Sequence, residues 1–255
     1  MKFRPCIDIH NGKVKQIVGG SLQDEGNSAA ENFVSEQDAT FFAKLYRDKN
    51  LKGGHIILLN PASSEYFEAT KKQAMQALNV YPGGLQIGGG IQPGNALEYL
   101  EAGASHVIVT SYVFSQGRLH KERLQEMLKT VGKEHLVLDL SCRKKDDAYY
   151  IVTDRWQKYT DVRLEEKTIC ELSAFCDEFL IHAVDVEGKA AGIEEELVEL
   201  MGRSCPIPAT YAGGVHNYED LEKIRVLGKE KIDVTIGSAL DLFGGNISFE
   251  KVAVL

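Results

Sequence analysis

The stretch Gln86-Ile87-Gly88-Gly89-Gly90-Ile91-Gln92 closes one short apolar run, and 124 residues after Gly89 the stretch Tyr211-Ala212-Gly213-Gly214-Val215 closes another. Working outward from this pair, Ile7-Asp8-Ile9 returns as Leu138-Asp139-Leu140, and Val109-Thr110-Ser111 returns as Ile236-Gly237-Ser238. The shifts are 131 and 127 residues, about half of the 255-residue chain. A near-constant shift across three pairs in the same order predicts two similar half-barrels, approximately 1–131 and 132–255, within one domain. The runs themselves support this. Strand-like segments are expected at 5–9, 55–59, 85–87, 106–109, 136–139, 179–183, 207–212 and 232–236, most of them continuously apolar, as for parallel strands covered on both faces. Helical patterns are expected at 38–48, 69–78, 95–102, 118–131, 164–176, 194–201 and 218–227, with Asn95 and Asn217 as caps and Gly103, Gly132 and Gly228 at the ends. Eight strands alternating with helices predict an α/β chain, a single (β/α)8 TIM barrel; a doubly wound open sheet is the alternative that strand count leaves open.

Composition narrows the class of partner. The chain carries 37 acidic against 29 basic residues, a formal charge of −8, which argues against nucleic acid or an anionic membrane. No segment reaches the ~18 apolar residues of a membrane span, and no leader-like segment precedes the first strand, so a cytoplasmic protein is expected. The five cysteines form no C-x-x-C pair and the seven histidines are scattered, so neither a disulfide framework nor a metal site is expected. The irregular segments 20–37 and 143–160 are long enough to be functional loops over a barrel mouth.

In such a barrel the chemistry gathers at the C-terminal ends of the strands. Asp8 and Asp139 are acids at the ends of otherwise apolar runs, and the half-chain repeat sets them across one mouth. Two such carboxylates can exchange protons with both faces of a substrate, although either alone could simply cap a loop. Gly88, Gly89 and Gly90 with Thr110 and Ser111, and Gly213 and Gly214 with Gly237 and Ser238, form two candidate phosphate grips in which bare backbone N–H groups approach an anion. The bland alternative is tight turns. Two facing grips point to a small-molecule substrate with a phosphate at each end. Trp156, the single tryptophan, either stacks on a planar heterocycle or packs within its own loop. His182 ends the sixth strand as a site or a structural histidine, and His10 and Gln16 belong to the segment that lines the floor or rim.

Together, the stretch from Cys6 to Gln16, Gln86–Gln92, Asp139 and Tyr211–Val215 resemble the ProFAR isomerase family of histidine-biosynthesis barrels, the phosphoribosylformimino-aminoimidazole carboxamide ribotide isomerases. The resemblance covers essentially the whole chain. It implies a cofactor-free Amadori rearrangement of an aminoaldose to an aminoketose on a doubly phosphorylated substrate. It also implies Asp8 as an ionised base, Asp139 as a protonated acid, and loops closing over the mouth with Trp156. His182-Ala183, Leu58-Leu59-Asn60 and Ser238 depart from the commoner bacterial pattern and look like the divergent eukaryotic branch. The rival readings are the sister cyclase that works with a glutaminase, a phosphoribosylanthranilate isomerase, and a phosphosugar-binding barrel without catalysis. A monomer is expected, because a closed barrel leaves no sheet edge to pair.

Overall fold

The computed structural model describes residues 1–18, 21, 30–154, 156–189 and 191–255. Eight parallel strands run in chain order around one sheet: β1 (Cys6–His10), β2 (Gly54–Leu58), β3 (Leu85–Gly88), β4 (Val107–Val109), β5 (Leu136–Asp139), β6 (Glu178–His182), β7 (Ala209–Ala212) and β8 (Ile232–Thr235). The open-sheet alternative fails at the seam. Phe3 forms a parallel bridge with Val234, the Arg4 N–H donates to Val234 O at 2.8 Å, and the Val234 N–H donates to Lys2 O at 3.0 Å. Residues 2–4, just ahead of β1, therefore close β8 onto the start of the chain, and the sheet is a barrel.

Helices follow the strands: α1 (Ala39–Asp48), α2 (Phe67–Val80), α3 (Pro93–Glu101), α4 (Lys121–Val131), α5 (Glu166–Ser173), α6 (Glu195–Ser204), α7 (Tyr218–Leu227) and the short α8 (Phe249–Val252). Their starts are written in local chemistry. Asp38 accepts the Phe41 N–H at the head of α1, and Asn217 forms a reciprocal capping box with Asp220 at the head of α7. Asn95 is not the cap of α3; Gln92 is, and Asn95 serves as the third-residue partner that bonds back to it. Gly228 does not adopt the left-handed conformation that ends many helices; Lys229 and Glu230, at φ 53° and 58°, make that turn.

Two apolar cores result. The larger lies between strands and helices and buries Ile7, Ile9, Ile56, Ile87, Phe179 and Ile181 against Phe42, Tyr46, Leu78, Leu124 and Ile224. The smaller fills the barrel itself with Ile108, Val137, Leu180 and Ala212, and Ile57 packs against it. Strand alternation explains the division, since successive side chains point outward to the helices and inward to the axis. Below the inner layer, Arg4 pairs with Asp233 at 2.7 Å and approaches Glu178 at 3.8 Å, while Thr210 donates to Glu178.

The segments expected to be irregular correct the sequence reading. Segment 143–160 belongs to an antiparallel meander of Cys142–Lys145, Ala148–Thr153 and Lys158–Arg163. Of 20–37, residues 20 and 22–29 lie outside the described residues, and Glu31–Val34 is a strand paired with Lys13–Ile17, itself antiparallel to β1. Charged residues at the turns hid these ribbons, because local pairing rather than an apolar run defines them. Each ribbon follows one of the aspartate-bearing strands, β1 or β5.

Candidate active site

Asp8 and Asp139 hold their positions because their neighbours do. Ile7 and Ile9 face the outer core, so Asp8 faces the mouth; Leu138 likewise faces outward and Asp139 inward. Their environments differ sharply. Asp8 is pushed up to about 7, first by burial and then by the charge of Glu187, with His182 pulling the other way. Asp139 is more tightly enclosed, and burial alone would raise it. Yet its carboxyl stays below the ordinary value, because His182 lies beside it and three groups donate to it. The donors are Ser141 Oγ at 2.8 Å, Thr110 Oγ1 at 3.1 Å and His182 Nδ1 at 3.2 Å. Burial works against the charge of His182, but the carboxylate and hydrogen bond of Asp139, with Glu187 and Asp8 beyond, raise it to about 9. At neutral pH the ligand-free site therefore holds an ionised Asp139 against a protonated His182, while Asp8 is poised to gain or lose a proton.

The glycine pairs repeat in backbone geometry as well as in sequence. Gly89 and Gly90 have φ of 103° and 69°; Gly213 and Gly214 have 122° and 74°. A Cβ on Gly89 would stand 2.2 Å from Leu58 O, and one on Gly213 2.8 Å from Ala183 O, the same crowding against the preceding strand's end in each half. Only glycine accommodates both the angle and the approach. One cleft gathers Asp8, His182, Gly213, Gly214, Gly237 and Ser238, together with Cys6, Gln16, His55 and Glu187. It does not include Asp139, which bonds to the lining residue His182, nor Gly88, Gly89, Gly90, Thr110, Ser111 or Trp156. The Thr110 hydroxyl, expected at a phosphate, is bonded to Asp139 instead. Ser111 is exposed beyond β4. Trp156 sits at φ 68° in the meander's turn, its ring centre 5.7 Å from that of His182 and its indole N–H on Ser141 Oγ at 3.0 Å.

A family model described as "Histidine biosynthesis protein" matches residues 2–248. The chain belongs to that family. It is 56% identical to the Medicago truncatula 1-(5-phosphoribosyl)-5-((5-phosphoribosylamino)methylideneamino)imidazole-4-carboxamide isomerase, named as chloroplastic, over 99% of this chain and 80% of the relative. Isomerases of the same name from Neurospora crassa and Saccharomyces cerevisiae are 48% and 43% identical, each over 96% of this chain and 93% and 94% of the relative. No helix among the described residues is long and apolar enough to cross a membrane.

In this member of the histidine biosynthesis family, three site residues escaped the sequence reading. Glu187 is a third carboxylate at the mouth; burial raises it, His182 lowers it, and its Oε2 is enclosed without a hydrogen-bond partner among the described residues. The signal for it was present, since Asp185-Val186-Glu187-Gly188 places acids and a glycine just beyond the sixth strand. His55 lines the cleft from β2 and is held neutral, at about 3, by burial and the nearby His182. Ser141 carries no sequence signal at all, because a serine two residues after an aspartate acquires meaning only from what folds over it.

Proposed function

We propose that the chain catalyses an Amadori rearrangement, aminoaldose to aminoketose, on a small molecule bearing a phosphoribosyl group at each end, the ProFAR of histidine biosynthesis. The observation that carries this reading is the pair of aspartates at the ends of β1 and β5, driven apart in proton affinity and flanked by duplicated glycine turns. The halves 1–131 and 132–255 each supply one aspartate and one grip. Gly88–Gly90 with the backbone at Thr110 and Ser111 would take one phosphate, and Gly213 and Gly214 with Gly237 and Ser238 the other. The barrel works as a monomer, since each half completes the other's mouth.

The reaction begins with a proton delivered to the furanose ring oxygen as the C1′–O bond opens to a protonated Schiff base. The electrostatics favour the Asp139–His182 pair as donor, with the mobile proton carried on His182. Asp8, ionised, then removes the C2′ proton to give an enolamine. The ketose forms as C1′ takes up a proton and the 2′-hydroxyl loses one, so the change is redox-neutral within one molecule. Glu187, beside Gly213, is placed to contact the substrate near the second grip. The ribbons after β1 and β5 shield a hydrolysable imine from water.

The test is a spectrophotometric assay with ProFAR in the absence of glutamine and ammonia, conditions under which the sister cyclase makes no product. Asp8→Asn and Asp139→Asn should each lower kcat by about 10²–10⁴-fold while leaving ligand binding largely intact. Near-normal turnover in both variants would falsify the assignment.

A further inference from the structure

Ser141 is fully buried two residues beyond Asp139, where β5 gives way to the meander. Its carbonyl accepts the Val152 N–H at 2.9 Å, which clips the meander's central strand to the end of β5. A serine hydroxyl has one proton and two acceptor sites. The ionised Asp139 can only accept, so the proton of Ser141 is directed to its Oδ1 at 2.8 Å, and Ser141 Oγ accepts from Trp156 Nε1 at 3.0 Å. The chain of donors thus runs one way, from indole through hydroxyl to carboxylate. The same indole lies 5.7 Å from the His182 ring at a tilt of 41°, within the range at which a cation is drawn to an aromatic face.

We propose that Ser141 is a positioning residue that couples the seating of Trp156 beside His182 to the Asp139–His182 pair. Seating the indole polarises the hydroxyl toward Asp139 and lays an aromatic surface beside His182; the charged pair in turn holds the indole in place. Because the coupling is a free energy between two events, each must favour the other by the same factor. Seating of the indole and the charge of the pair are then one event. The kinetic consequence rests on the proposed rearrangement; the coupling itself does not. Among the described residues, the groups that face this pair are Asp8 from β1, His55 from β2, Thr110 after β4, Cys142 after β5 and Glu187 after β6. None of them bridges to Trp156.

Trp156 is the only tryptophan, so intrinsic fluorescence reports its position without labelling. In ligand-free wild type, the emission should follow the acid titration of the pair. Ser141→Ala should weaken that dependence, raise acrylamide quenching about twofold, and move the acid titration of Asp139, read by carboxyl ¹³C NMR, up by about half to one pH unit, since the carboxylate has lost a donor. An unmoved Asp139 titration, or an unmoved emission and quenching profile, overturns the coupling. If Ser141→Ala does not fold by circular dichroism, Trp156→Phe decides the matter: an upward shift of the Asp139 titration supports the proposal and an unshifted titration overturns it. The fluorescence arm needs no substrate, so its result stands whether or not the chain isomerises ProFAR.

Discussion

Asp8 costs the folded protein stability once it ionises. A carboxyl whose affinity rises from 3.8 to about 7 on folding binds its proton more tightly in the folded than in the unfolded state. Folding is therefore undisturbed by Asp8 below about pH 4, loses stability as pH climbs toward 7, and carries the full penalty above that. Asp8→Asn should raise the Tm at pH 8 and give no gain at pH 4, by roughly 1–3 kcal/mol because the side chain still meets the wet mouth. Calorimetry at the two pH values checks this, and an equal change at both would remove burial as the cause of the shift. The same proton affinity sets an activity profile. As the base, Asp8 must be ionised, so kcat/KM should rise with pH through about 7. His182 works in the opposite sense. Its stabilising contribution is complete below its ordinary value of 6.5 and is lost as pH rises through about 9. His182→Gln should therefore destabilise the protein at pH 6 and much less at pH 10. Asp8, Asp139 and His182 were legible in the sequence as candidates, and the structure brings them together. Their charges were not, because each depends on groups supplied from other strands and loops.

Elements were read correctly where the chain reports on its own surroundings. All eight barrel strands fall where apolar runs predict them, because a strand covered on both faces must be apolar throughout. The helix starting after Asn217 was legible for a similar reason, since the cap is a local bond. The meander after β5 was missed. Its pairing depends on turns such as Asp146 at φ 53°, and its charges resemble those of a loop. The glycine turns were legible as special backbone, and their two-fold geometry gives a prediction at this scale. A Cβ on Gly214 would fall 2.1 Å from Gly192 O, and Gly192 N–H donates to Gly214 O at 3.0 Å, so the turn also anchors the segment after β6. If Gly214 seats a phosphate, as proposed, Gly214→Ala should raise KM for ProFAR by at least about tenfold with a smaller effect on kcat. An unchanged KM would exclude Gly214 from the grip.

For the whole molecule, the barrel has little apolar material inside it. Four buried side chains and a partly buried Ile57 separate the charged cluster around Arg4 from the polar mouth. Leu180→Ala removes the centre of that layer and should cost about 2–5 kcal/mol, read as a lowered midpoint in urea unfolding. A cost well under 1 kcal/mol would mean that the layer collapses freely around the gap. The chain's own pattern determined the barrel, its two-fold repeat, the two aspartates and the glycine turns, since periodicity, apolar runs and obligatory glycines are properties of neighbours in sequence. Tertiary structure alone decided where the protons reside and what Thr110, Ser141, Glu187 and Trp156 touch. Proton affinity is set by burial and by charges a few ångströms away, and in this barrel those charges come from residues 43–179 positions distant from the aspartates they govern.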